Sequence, residues 1–88
     1  MNIKNLRSEI DRIDNKILKL LKYRFQKVAD IGRIKHESKT NLIDMKRWDS
    51  LMDEKIMIAK ELNISKTLVE RIWNLIHEES LRIEKNNK

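Results

Sequence analysis

The chain contains no cysteine, no proline and a single glycine in 88 residues, and only 5% of its residues are aromatic. Each absence excludes something. Without cysteine there is no disulfide framework, no thiolate nucleophile and no thiolate metal site. Without proline, and with one glycine, the chain lacks the residues that tight turns and hairpins demand, and nothing interrupts a long helix. No apolar run is long enough to span a bilayer, and the opening Met1-Asn2-Ile3-Lys4-Asn5-Leu6-Arg7 lacks the apolar stretch of a secretory leader. A soluble, cytoplasmic protein is expected.

Charge is abundant. Asp, Glu, Lys and Arg make up 39% of the residues, with a net charge of +6, and part of the excess sits in the terminal Lys85-Asn86-Asn87-Lys88. Both signs are interspersed along the chain and no basic cluster alternates with aromatics. That is the pattern of solvated helix faces, so no nucleic acid and no membrane is expected as a partner. A basic three-helix DNA binder, with salt-sensitive affinity for generic duplex, is a further alternative.

Apolar residues recur at helical spacing in three segments. The reading is an all-α fold of one long N-terminal helix and two shorter ones, at about residues 5–38, 45–62 and 66–85, forming a single domain over residues 1–88. Lys39 to Ile43 read as a short connection. Asp44 is placed to cap the second helix, with Ile43 as its hydrophobic staple; Asn63 suits a left-handed C-cap and Ser65 an N-cap. Gly32, inside the first helix, points to a close backbone approach.

The first helix carries an anomaly. Steps of three and four connect Ile3, Arg7, Ile10, Asp14, Ile17, Leu21, Arg24, Val28, Ile31 and Lys35 along one side. Arg7, Arg24 and Lys35 thus share the stripe that should face a core, and Arg47 stands near the start of the second helix. Burying an unpartnered cation costs several kcal/mol, so an anion is the natural complement. Ser80 and Glu84 extend the inward stripe of Val69, Ile72, Trp73 and Ile76. Guanidinium forks, an ammonium, a hydroxyl and a carboxyl group together suit a small polyanion. His36 and His77 are isolated and read as surface or core residues, with no metal or triad role. No metal or cofactor is expected, and any chemistry would rest on positioning and electrostatics.

Length adds a second argument. A helix of this span runs about 50 Å, whereas a compact chain of this size has a radius of gyration of roughly 12 Å. Two shorter helices cannot cover such a stripe, so a homodimer with paired or intertwined long helices is expected. A plain coiled coil with satellite helices is the alternative, though three polar intrusions disfavour a simple zipper.

The order of Leu6-Arg7, Ile10-Asp11-x-Ile13-Asp14, Leu20-Leu21-x-x-Arg24, Ile31-Gly32-x-x-Lys35, Asp44-x-x-Arg47 and Ile76-x-x-x-Ser80 resembles the all-helical chorismate mutase family. Each motif is weak alone; their joint spacing is specific and covers about residues 6 to 84 without insertion or deletion. The resemblance implies an intertwined dimer with two equivalent sites that rearrange chorismate to prephenate without metal or cofactor. It also implies that Arg24 holds one substrate carboxylate, with Arg47 lining the same pocket and Arg7 reaching the other carboxylate from the partner chain. By the same resemblance Lys35 donates to the ether oxygen, Asp44 holds the ring hydroxyl through its backbone, and Ser80 contacts a carboxylate.

Two positions depart from the family pattern. Glu84 falls where many members have Gln, the second donor to the ether oxygen. Only a protonated Glu can donate, so activity is expected to fall as pH rises. The alternative is that Glu84 turns to solvent at a frayed helix end. Trp48 falls where the family usually has Glu, an acceptor for the ring hydroxyl, and indole N–H only donates. Trp48 then either packs in the core or interface, or marks a different substrate. One such substrate is isochorismate, for an isochorismate pyruvate lyase; the other is a 4-amino-4-deoxychorismate mutase substrate whose ammonium lies on the indole face. A non-catalytic helical dimerisation or regulatory module is the alternative outside enzymes.

Overall fold

The computed structural model describes residues 2–38 and 45–86. The Lys39–Ile43 connection, the Ile43 staple and the Asp44 cap lie outside the described residues. The fold is all-α: α1 spans Ile3–Ser38, α2 Met45–Glu61 and α3 Lys66–Asn86.

Local chemistry sets the ends. The Asn5 N–H donates to Asn2 Oδ1 at 2.8 Å, which makes Asn2 the cap and starts α1 at Ile3, ahead of the Asn5 start read from the sequence. Asn63 adopts a left-handed φ of 57°. Around it Ile64 N–H donates to the Ala59 carbonyl at 2.8 Å and Asn63 N–H to that of Lys60 at 3.3 Å, the paired bonds that close a helix at a left-handed residue. Three residues before Leu68, Ser65 caps the next helix: the Leu68 N–H donates to Ser65 Oγ at 3.2 Å and opens α3.

Helix α3 packs against both α1 and α2, which do not pack on each other. The buried apolar side chains are Val28 of α1, Leu51 and Ala59 of α2, and Val69 and Ile76 of α3. This core covers only the C-terminal half of α1. In the other half Ile10, Ile13 and Ile17 are 53%, 55% and 51% exposed. The molecule measures 55 × 25 × 15 Å with a radius of gyration of 16.2 Å, well above the roughly 12 Å of a compact chain of this length.

One close approach positions everything that follows. A Cβ on Gly32 would lie 2.8 Å from Glu84 Cα and 3.0 Å from its carbonyl oxygen, so α1 and α3 touch backbone to backbone there. One turn on, His36 Nε2–H donates to the same carbonyl at 2.8 Å, and because a carbonyl only accepts, that nitrogen carries the proton. Gly32→Ala should therefore lower the melting temperature. Overpacking against backbone costs about 1–3 kcal/mol and exceeds the roughly 1 kcal/mol that alanine gains in helix propensity. A variant melting at or above the wild type in a thermal unfolding experiment would show that the helices part freely and that Gly32 does not set Glu84.

Candidate active site

A cavity of about 300 Å³ opens between the three helices. Its size is at the lower end of small-molecule sites, roughly 300–1,000 Å³. Helix α1 contributes Arg24 and Lys35, α2 contributes Arg47 and Trp48, and α3 contributes His77, Ser80 and Glu84; Val28, Leu51 and Leu81 supply apolar wall. The spacing of three and four that aligns side chains along each helix explains the grouping, since Arg24, Val28, Ile31 and Lys35 form one edge and His77, Ser80 and Glu84 another.

The polar groups are held in place by one another. An Arg24 Nη1–H donates to Ser80 Oγ at 3.0 Å. Burial, and secondarily the charge of Arg47, push the Arg24 guanidinium below its ordinary pKa. A lowered pKa on a base means that the folded chain holds that proton less tightly than the unfolded one. Arginine nevertheless stays charged across the working range, so pH does not relieve the penalty and an entering anion does. At the other end of the α1 edge, three turns from Arg24, Lys35 Nζ faces Glu84 Oε1 at 3.6 Å, an ion pair longer than a hydrogen bond. Glu84 is 8% exposed, so the alternative of a carboxylate swung into solvent is overturned: the Gly32 contact and the His36 bond hold its backbone against α1. Trp48 and His77 stack face to face, ring centroids 4.1 Å apart and planes inclined by 25°.

The structure thus brings together Arg24, Lys35, Arg47, Trp48, Ser80 and Glu84. Arg7 is not among them. It sits on the exposed half of α1, seventeen residues before Arg24, and is about 25 Å away along the helix axis. Asp44 lies outside the described residues. His77, read from sequence as a bystander, lines the cavity; the available signal was its spacing of three and seven residues from Ser80 and Glu84. His36, read the same way, ties α1 to α3. Among the described residues no cluster of three or more His, Asp or Glu is placed to hold a metal ion, and no helix is long and apolar enough to cross a membrane.

An all-helical protein with a cation-lined cavity between its helices is the class that fold and site define. The chain belongs to the chorismate mutase type II family, whose pattern matches residues 6–85. It is similar to the chorismate mutase of Methanocaldococcus jannaschii, at 30% identity over 80 residues, 91% of this chain and 81% of that protein. It is 33% identical over 79 residues to a bifunctional chorismate mutase/prephenate dehydratase of Buchnera aphidicola. It is 28% identical over 78 residues to the T-protein of Haemophilus influenzae. These alignments take in 90% and 89% of the chain, which spans about a fifth of the length of the latter two proteins.

Proposed function

We propose that the chain converts chorismate to prephenate as a homodimer. The observation that carries this reading is one cavity with Arg24 and Arg47 along one part of its wall and the Lys35–Glu84 pair along another. The reaction breaks the ether C–O bond and forms a C–C bond within one molecule, with no net proton transfer. The protein has to select the compact conformer and meet the negative charge that develops on the ether oxygen. Arg24, held by Ser80, forks onto one carboxylate, and Arg47 adds positive potential beside it. Lys35 donates to the ether oxygen.

The second carboxylate is met by Arg7 of a second copy of this chain. Two features support that assignment: the apolar stripe of α1 is uncovered, and Arg7 lies on it at one end, out of reach of its own cavity. Self-association of this stripe would bury Ile10 and Ile17 and deliver Arg7 to the partner's cavity.

Glu84 is the second group beside the ether oxygen. Its carboxyl group pairs with Lys35. A neutral ether oxygen entering between them accepts from Lys35, and accepts from Glu84 only when that carboxyl is protonated. Glu84→Gln, whose amide donates without needing a proton taken up, should therefore turn over at least as fast as the wild type. A Glu84→Ala variant with the wild-type rate would remove Glu84 from the chemistry.

The deciding experiment incubates purified protein with chorismate and identifies the separated products. Prephenate supports the reading, and absence of turnover overturns it. Trp48 in the cavity wall favours one second reading, a ring substituted differently from chorismate. Product formation from isochorismate or the 4-amino analogue, and not from chorismate, would establish it.

A further inference from the structure

We propose that His77 is the hydrogen-bond acceptor for the ring hydroxyl of the substrate, with its imidazole held in place by the stack on Trp48. The inference rests on the chorismate reading and identifies the group that recognises the part of that molecule which is not a carboxylate.

A hydroxyl entering a partly buried site needs partners for its oxygen and for its proton. The cavity is rich in the first kind and poor in the second. Arg24, Arg47 and Lys35 carry donors alone, as does the indole of Trp48. The two oxygen-bearing side chains are already engaged: Ser80 Oγ receives the Arg24 guanidinium, and the Glu84 carboxyl group faces Lys35. His77 is different. It lines the same cavity, and no hydrogen bond joins either of its ring nitrogens to another described residue. A neutral imidazole always offers one unprotonated nitrogen as an acceptor. It is therefore the lining group whose acceptor faces no cation, whereas Ser80 and Glu84 each give part of their acceptor capacity to Arg24 and Lys35.

The stack supplies the positioning. With one face of the imidazole against the indole, ring centroids 4.1 Å apart and planes inclined by 25°, the orientation of the ring plane is set. Trp48 cannot accept the hydroxyl proton itself, so it acts through His77. The bulk that the sequence places as an intrusion beside the substrate ring thus becomes a platform for the acceptor. A buried polar group left without its partner weakens binding, so a site built to pair a hydroxyl discriminates against the ligand that lacks one.

The test uses two rigid bicyclic dicarboxylates that mimic the compact transition state, identical except that one lacks the ring hydroxyl. Their affinities are measured by calorimetry on the wild type and on His77→Phe, which keeps an aromatic ring for the Trp48 stack and removes both nitrogens. The wild type should prefer the hydroxylated mimic by roughly ten- to hundredfold. His77→Phe should bind both mimics alike, at the wild-type affinity for the deoxy compound. His77→Gln, which restores an acceptor, should recover part of the preference. Should the phenylalanine variant not fold, His77→Leu removes the acceptor equally and is read the same way. An unchanged preference in the variant would reduce His77 to a packing partner of Trp48 and overturn the proposal, as would a wild type that binds both mimics equally. Failure of the mutase reading looks different: the wild type would bind neither dicarboxylate and leave chorismate unchanged, and the proposal would fall with it.

Discussion

Lys35→Met should lower kcat by about 10²- to 10³-fold and leave KM within a few-fold of the wild type. That is the loss typical of removing one preorganised donor from a developing oxyanion. The asymmetry follows from where the charge appears. The ether oxygen is nearly neutral in the bound substrate and gains charge only as its bond to the ring breaks, so the ammonium acts mainly on the transition state. Methionine keeps the length and apolar stem of lysine, so the cavity wall is preserved. The substitution has a second consequence, because it leaves Glu84, 8% exposed, without the cation that faces it. Removing one partner of such a pair destabilises by about 1–3 kcal/mol. The double variant Lys35→Met/Glu84→Gln separates the two effects: stability should return toward the wild type while turnover stays low. Single-turnover rates and thermal unfolding on the three proteins decide the matter, and a kcat for Lys35→Met within tenfold of the wild type would sink the assignment to the ether oxygen.

An equally large effect is expected from mixing two inactive variants. Arg7→Ala and Arg24→Ala should each lose most of their activity. Refolded together in equal amounts, they should recover about a quarter of the wild-type rate. The arithmetic is that of a two-fold dimer with shared sites. About half of the random dimers contain one chain of each kind, and in these one site joins an intact Arg24 to the partner's intact Arg7 while the other site has neither. Arg7 cannot serve its own cavity, because about 25 Å of helix separates it from Arg24. No recovery in the mixture, with the chain sedimenting as a monomer, would show that Arg7 belongs to another role and that the α1 stripe is covered by something else. Recovery in proportion to mixing, with the Gly32 contact intact in both variants, would establish a site built from two chains.

Much of this molecule is legible along the chain itself. The absence of proline leaves α1 uninterrupted, and Asn63 and Ser65 mark the end of α2 and the start of α3 because only certain side chains satisfy those backbone groups. Gly32 announces a close approach, and the three-four spacing puts Arg24 and Lys35 on a half-buried edge. Each of these depends on neighbours within about one or two turns of the same helix. The start of α1 lies two residues before the boundary read at Asn5, at the first residue of the stripe, because Asn2 caps it.

His77 is not legible in this way. Its spacing from Ser80 and Glu84 gives its direction around the axis of α3, yet whether that direction holds solvent, core or cavity depends on where α2 lies. The same is true of Trp48, whose stack on His77 joins residues 29 apart in the chain, and of Glu84, whose choice between solvent and Lys35 is made by the backbone contact at Gly32. By itself the sequence determined the helices, their caps and which side chains share a face, since helical geometry is local. The tertiary structure alone decided which faces meet, because distances between helices are set by side-chain volume and backbone approach across segments far apart in the chain.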